Sequence, residues 1–530
     1  MSWVSGYGAV EVGDTTLHRV IVERAGVMGE GPALIDGPTG YAVSYATLAS
    51  RVERVAAGLA ARGFGSGDVL ALWAPNVPQW AGVALGAMAA GGTVTGINPA
   101  STGRELGAQL ADSGASVLVT VPALVPAALA ASGDGGREVI VLGEAEGATP
   151  ILDLIGDDAP APEAATEPDA VALLPYSSGT TGLPKGVMLT HSNLTASVRQ
   201  VRSGLRMTGG DTTLAVAPFF HIMGFMVSLA MPLASGATVV TMPRFELERF
   251  FALIQEHRVT VLAVPPPVMA ALARHPMADR YDLSSLELIV SGGAPLGAAL
   301  QRAVAGRFPH AAVGQAWGMT ETSVGATMPE REFGTVPGSV GRVMPNTELR
   351  VVDPEGGSDL GPGERGELWV RGPQVMAGYL DRPEATAGII DADDWLKTGD
   401  LGYVDSDGNV FVVDRLKDLI KVSAYAVAPA ELEALLLTHP GVADAAVFGR
   451  PDERYGEVPV AAVVRRGEVD GEELVAWVAE RVAPHKKVRE VLFVEAIPRT
   501  PSGKLLRRLL VERERQEAVD GPVGSEKVAQ

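Results

Sequence analysis

The stretch Tyr176-Ser177-Ser178-Gly179-Thr180-Thr181-Gly182-Leu183-Pro184-Lys185-Gly186 crowds hydroxyls, glycines and one lysine into a single turn. Val171 to Leu174 precedes it as a strand-like run and Val187-Met188-Leu189 resumes one after it, so the reading is strand, turn, strand. Glycines let the backbone present several N–H groups to one anion, the Ser and Thr hydroxyls add donors, and Lys185 adds a positive charge. Such a turn suits a polyphosphate. It is not the G-x-x-x-x-G-K-[ST] phosphate loop, because Pro184 takes the place of the second glycine and Gly186 follows the lysine. Gly361 to Gly366 satisfies G-x-G-x-x-G, but it follows a turn and runs into the strand-like Leu368-Trp369-Val370 rather than a helix, so it is a coincidence.

On the amino-terminal side, Leu48, Val52, Val55 and Leu59 recur at helical spacing with Gly63 as a C-cap, and Val69 to Trp73 reads as a buried strand. The alternation continues through Val117 to Thr120, Val139 to Leu142 and Thr260 to Val264, which predicts largely parallel sheets covered by helices. Asp157 to Ala170 is acidic, Pro-rich and aperiodic, an exposed loop in expectation. From about Gly338 to Val413 the apolar runs shorten and alternate with turn signals, as in an antiparallel, barrel-like region. Helical patterns return after Asp414, at Glu431 to Leu437 and Glu472 to Val482. The expected division is a large domain over 1–413, a link at 414–417 and a small α+β domain over 418–530.

Composition narrows the partners. The 530 residues carry a formal net charge of −20 with their 43 basic residues scattered, which argues against a nucleic acid held on a basic face. An anionic small substrate then needs a local pocket of Lys, Arg, backbone N–H groups and metal. The chain has no cysteine, which excludes disulfides, thiolate zinc sites and cysteine nucleophiles. Met1 to Val20 lacks a basic stretch followed by an apolar core, so a cytoplasmic home is the expectation. Trp80 to Ile97, the most apolar stretch, reads as a buried helix running into a strand rather than a membrane span. Neither an H-E-x-x-H zinc motif nor a G-x-S-x-G nucleophile elbow occurs.

The turn at Tyr176 to Gly186 resembles the signature of the adenylate-forming superfamily, which comprises acyl-CoA synthetases, beetle luciferases and peptide-synthetase adenylation domains. The resemblance runs from SYATLASRVERVAAGLAARGFGSGDVLALWAPN at 44–76 to IPRTPSGKLLRRLL at 497–510 and is nearest to the 4-coumarate:CoA ligase branch. It implies an α/β fold: a large N-terminal domain of two helix-covered β-sheets plus a distorted β-barrel subdomain, and a small mobile α+β C-terminal domain. It also implies ATP, Mg²⁺ and coenzyme A as cofactor and co-substrates.

By that likeness Ser177, Ser178, Gly179, Thr180, Thr181, Gly182 and Lys185 hold the phosphates, with Thr181 and Glu321 toward the metal. Gln315-Ala316-Trp317-Gly318-Met319-Thr320-Glu321 resembles the stretch in which an aromatic stacks on adenine, Thr contacts the α-phosphate and Glu holds Mg²⁺; Gly293, Ala294 and Pro295 form the other wall of that slot. Asp400 and Arg415 take the ribose, Lys417 the hinge, and Lys504 the bridge between substrate carboxylate and α-phosphate, where a lone lysine beside Arg507 and Arg508 would by itself read as a solvated face. His221 matches a gate between the acyl pocket and the phosphates; Ile222, Met223, Gly293, Ala294, Gly314 and Ala316 complete the pocket. Lys421 matches a lysine of the coumarate branch near the nucleotide.

One segment departs. Where relatives have Lys-Gly-Tyr-Gln or close variants, this chain reads Ser423-Ala424-Tyr425-Ala426, beside the expected coenzyme A tunnel of Ser423, Ala424 and Tyr425. A methyl in place of a hydrogen there narrows the tunnel or restricts the backbone. The expected activity is adenylation of a cinnamate or 4-coumarate type acid, then thioester formation. The alternatives are a medium- or long-chain fatty acid, adenylation without transfer to coenzyme A, and a non-catalytic nucleotide-binding regulator.

Overall fold

The computed structural model describes residues 2–520 except 134–136, 156–165, 178–183, 333, 424, 453, 501 and 502, and it leaves aside the side chains of 515–520. Among the described residues the first sheet runs in the order Thr149–Pro150, Glu138–Val141, Val117–Thr120, Val69–Trp73, Thr93–Gly96, Val171–Leu173, Lys185–Thr190, Tyr176–Ser177. Its middle strands are parallel, and it turns antiparallel where Lys185–Thr190 joins. The second sheet runs Ala312–Gln315, Leu288–Ser291, Val261–Val264, Thr212–Ala215, Thr238–Thr241, Pro32–Asp36, Ala42–Ser44, parallel but for the last. The expected helix-covered parallel sheets are therefore present, and Val69 to Trp73 is the strand its β-branched and apolar run predicts.

The helices Tyr45–Ala61 and Gln79–Ala89 pack together, burying Val52, Val55 and Leu59 on the first and Trp80, Leu85 and Met88 on the second. Each such side chain taken fully out of water contributes roughly 1.5–3 kcal/mol, so this interior is the main fastening of the large domain. Trp80, Ala81 to Met88 are buried and the run ends in the strand Thr93–Gly96, as the sequence implies. No helix of the described residues is long and apolar enough to cross a membrane.

An antiparallel sheet follows the order Ser2–Val4, Glu348–Val352, Gly366–Arg371, Leu396–Val404, Val410–Arg415. It meets the barrel-like expectation, apart from the amino-terminal strand Ser2–Val4, which completes it from some 340 residues away in sequence, as its pairing of Ser2 with Arg350 shows. After a single turn at Leu416–Asp418, a last sheet of Tyr425–Val427, Ile420–Val422, Gly456–Arg465, Val442–Asp452 and Glu490–Phe493 builds around its own core of Leu432, Val447, Ala461 and Val463. Of the acidic spacer, 157–165 lie outside the described residues.

Strand direction decides where the site sits. The carboxyl ends of Val261–Val264, Leu288–Ser291 and Ala312–Gln315 release three consecutive turns: Pro265 to Pro267, Gly292 to Pro295 and Ala316 to Glu321. In open α/β sheets, ligands settle off that edge.

Candidate functional site

Ser177 and Lys185 face each other as the last paired residues of an antiparallel hairpin, so the polyphosphate turn is strapped at its base by two strands. Ser178, Gly179, Thr180, Thr181 and Gly182 lie outside the described residues. Ser177 Oγ donates to Glu321 Oε1 at 3.0 Å, and Tyr379 Oη donates to the same oxygen at 2.8 Å. The Lys185 ammonium rests over the Tyr379 ring, 4.8 Å from its centroid. Glu321 is 4% exposed, so its carboxylate is a buried acceptor held by two hydroxyls. The neighbouring carboxylate and burial push the Tyr379 phenol well above its usual value, burial being the larger cause, and it stays a donor.

Tyr379 was not among the expected residues. It arrives because Gly378–Tyr379 pairs with Val187 and Met188 of the strand that begins at Lys185. The available signal was general: a tyrosine in an apolar setting must find a partner for its hydroxyl.

Gly318 holds the next turn closed, since a Cβ there would fall 2.2 Å from the Val324 carbonyl. Met319 N–H donates to Thr322 Oγ1, and Thr320 to Thr322 form one 3₁₀ turn that delivers Glu321. Trp317 is buried and donates its indole N–H to Asp400 Oδ2 at 2.8 Å, while Arg415 Nε meets Asp400 Oδ1 at 3.0 Å. Asp400 and Arg415 are also cross-strand partners, so register as well as charge fixes the pair. Each carboxylate oxygen keeps a second lone pair for a ligand hydroxyl.

Gln315 behaves differently from its expected place at the nucleotide. Its side-chain oxygen accepts from Leu296 N–H at 2.8 Å and its amide N–H₂ reaches the Leu296 and Ser339 carbonyls, so the amide is spent on positioning the Gly292 to Leu296 segment. Gly293 sits at φ +79°, a left-handed turn that a side chain would strain. Gly314 packs against Pro329, where a Cβ would stand at 2.5 Å. Ile222 is buried in the main core, whereas Met223 gathers Ala217 and Ala263, with Val227 and Val324 against them, into a small apolar cluster of its own. Ala294 is partly exposed and Pro295 exposed, and Ala316 is partly buried against the main core.

His221 caps the short helix Ile222–Phe225, its Nδ1 accepting from Met223 N–H at 3.3 Å. Burial, helped by the Lys504 ammonium, holds its imidazole down at about 4, so the ring is neutral at pH 7. That electrostatic contact joins residues far apart in sequence. Lys504 sits in a turn closed by Thr500 N–H to the Lys504 carbonyl at 2.8 Å and by Lys504 N–H to Thr500 Oγ1 at 3.0 Å. Gly503, at φ +86°, lies so close to the large domain that a Cβ would stand 2.9 Å from Pro265 Cβ. Burial first, then the cations Arg415 and Lys417, bring the Lys504 amine down to about 8, while Asp400 and Asp418 oppose them.

Arg507 is enclosed by carboxylates: its Nη2 donates to both Glu433 oxygens at 2.9 Å and its Nη1 to Asp418 at 3.1 Å, so it ties the carboxyl-terminal helix to the link between domains, while Arg508 is exposed. Lys417 is exposed in that link, and desolvation by the chain around it is the chief cause that lowers its amine. Lys421 and the expected tunnel residues stand apart. Lys421 is exposed on its strand, its backbone N–H donating to Glu457, and Ser423 adopts φ +55°. Tyr425 is 58% exposed and stacks on His485 with centroids 4.4 Å apart. Ala424 lies outside the described residues.

A magnesium ion fits this residue set in one manner. Among the described residues no cluster of three His, Cys, Asp or Glu is arranged to hold a metal, and Glu321 is a single buried carboxylate beside the phosphate turn. Magnesium bound mainly by phosphate oxygens and water needs no more than one or two protein carboxylates.

Residues 22–380 match the family model described as AMP-binding enzyme, and residues 431–504 match that of the AMP-binding enzyme C-terminal domain. A 4-coumarate–CoA ligase of Pinus taeda is 42% identical over 518 residues, covering 95% of this chain and 96% of that protein. The ATP-bound MatB from Rhodopseudomonas palustris superposes with a TM-score of 0.86 at 30% identity, over 94% of this chain and 99% of that one. The anthranilate CoA ligase AuaEII in complex with anthranoyl-AMP gives a TM-score of 0.88 at 26% identity, over 96% and 99%. With most of its length accounted for by the two matched domains, the chain belongs to the AMP-binding enzyme family.

Proposed function

We propose that the protein is an ATP-dependent, AMP-forming acid:CoA ligase whose acid is a flat aromatic of the cinnamate or 4-coumarate type. One observation carries the reading: the Lys504 turn of the small domain packs against Pro265 of the large domain, which brings its ammonium within electrostatic reach of Asp400, Arg415 and His221. Asp400 and Arg415 receive the ribose, and Ser177 and Lys185 receive the phosphates. When bound, magnesium neutralises phosphate charge, with Glu321 as its protein ligand. A substrate carboxylate oxygen attacks the α-phosphorus, the bond to the pyrophosphate oxygen breaks, and Lys504 offsets the charge of both anions as they meet. In the second step the coenzyme A sulfur attacks the acyl carbon and AMP leaves. Ser423, Tyr425 and Ala426, exposed here, reach the tunnel only after the small domain turns about Lys417.

The aromatic reading is supported by the names of the relatives and by the apolar wall of Ala217, Met223, Ala263 and Val324, with Gly292 against Met223. A panel of acids with ATP, with and without coenzyme A, followed by AMP and pyrophosphate release, tests it. We expect kcat/KM for 4-coumarate to exceed that for octanoate by about 100-fold, the range that shape selection in an apolar pocket reaches. A preference for octanoate refutes the aromatic assignment, and pyrophosphate release without coenzyme A-dependent AMP release refutes the transfer step.

Two further outcomes follow from the Lys504 turn. Because kcat/KM reports groups of the free enzyme, kcat/KM for adenylation should fall as pH rises through about 8, where the amine loses its proton. A profile flat to pH 10 removes Lys504 from the rate-determining charge balance. Gly503→Ala pushes the turn off Pro265 and strains a positive φ; adenylation should drop about tenfold or more, with thioester formation from supplied acyl adenylate within a factor of about three. Equal losses in both half-reactions mean that the turn is not a docking element.

A further inference from the structure

Far from the adenylation site, the helix His191–Leu205 buries Leu194, Val198 and Val201 and leaves Arg199 and Arg202 on its other edge, with Arg206 as its left-handed C-cap. These three line a recess of 580 Å³ together with Val10, Glu11, Ser203, Met207 and Thr208. The recess lies where the chain enters the strand Thr212–Ala215, at the opposite end of that strand from the turn leading to His221. It is a separate place from the site.

Its charges are unbalanced. Arg206 pairs with Glu332, an exposed contact. Arg199 gives one N–H to the Glu11 backbone carbonyl and Arg24 gives its Nε–H to the Ala234 carbonyl. Among the described residues the Arg202 side chain makes no hydrogen bond, and no carboxylate forms an ion pair with Arg24, Arg199 or Arg202. Arg202 is held below the usual guanidinium range by burial first and then by Arg24 and Arg199, with no acidic neighbour opposing them. One carboxylate, Glu11, lines the recess against Arg199, Arg202 and Arg206, and among the described residues it forms an ion pair with none of them. Mutually repelling guanidiniums beside hydroxyls are a stable arrangement when an oxyanion lies between them, because their planar forks match phosphate oxygens two at a time.

We infer that the recess lined by Arg199, Arg202 and Ser203 is a second anion site that takes a polyphosphate group, either inorganic pyrophosphate or the phosphate tail of a nucleotide. Its position off the catalytic edge makes it a site for an effector rather than for a reactant.

Isothermal titration of the full-length enzyme with inorganic pyrophosphate should show one bound equivalent that is lost, or weakened at least about tenfold, in both Arg202→Gln and Arg199→Gln. Arg202→Lys, which keeps the charge, should retain it with reduced affinity. A parallel titration with α,β-methylene ATP identifies the source: an Arg202-dependent equivalent there assigns a nucleotide tail, and its absence assigns free pyrophosphate. The Gln variants should melt as the wild type does and keep its rate of acid-dependent pyrophosphate release at saturating ATP. Identical pyrophosphate stoichiometry and affinity in the wild type and both folded Gln variants overturns the inference.

Discussion

Lys504→Ala lowers acid-dependent pyrophosphate release by a factor of about 10²–10³, the usual loss when one preorganised charge-stabilising donor is removed from a reacting centre. Thioester formation from supplied acyl adenylate stays within a factor of about three of wild type, because the small domain has then turned and this ammonium has left the site. The variant folds. The turn is closed by backbone and Thr500 contacts that Ala preserves, and the ammonium it deletes is crowded by Arg415 and Lys417. The folded-state amine titrates at about 8 against an ordinary 10.5, so the native state bears an electrostatic cost at neutral pH that fades as pH rises from about 8 toward 10.5. Lys504→Ala therefore removes a stability gain on alkalinisation instead of creating one. A melting temperature several degrees below wild type, with both half-reactions lost equally, sinks the assigned role.

The parts of this structure that could be read in the sequence are those governed by local chemistry. Val69 to Trp73 and Val117 to Thr120 announce themselves because short apolar and β-branched runs between turn signals fit few other environments. Trp80 to Ile97 separates correctly into helix and strand at Gly91-Gly92. What stayed hidden depends on distant partners. Ser2–Val4 is three residues with no periodicity to speak of, and it is a strand only because Glu348–Val352 offers an open edge. Gln315 carried a nucleotide role by likeness, yet its amide finds the Leu296 backbone first, since a buried amide must be satisfied wherever donors and acceptors stand nearest. Arg507 and Arg508 stand side by side in sequence, yet Asp414, Asp418 and Glu433, far earlier in the chain, make only the first of them the centre of a charge network. Neither spacing nor composition carries that information.

Glu321→Gln tests the other half of the phosphate site. The amide keeps the shape of the side chain, and its oxygen can still accept from Ser177 Oγ and Tyr379 Oη, the two donors that Glu321 Oε1 receives at 3.0 and 2.8 Å. Buried at 4% exposure, the position loses a charge but not its hydrogen bonds, so stability should hold within about 1 kcal/mol. Activity should not. Adenylation is expected to fall by a factor of about 10²–10³, with the magnesium concentration for half-maximal rate raised, because the carboxylate is the buried anion facing the phosphate turn. Tyr379→Phe separates charge from placement. It leaves the carboxylate charged but frees one of its anchors, so adenylation should fall only about tenfold and the magnesium dependence should stay near that of wild type. Pyrophosphate release measured across magnesium concentrations in both variants decides the matter. If Tyr379→Phe costs as much as Glu321→Gln and shifts the magnesium requirement equally, the residue acts through geometry alone; if Glu321→Gln leaves the magnesium dependence untouched, the carboxylate is not the protein's ligand for the ion.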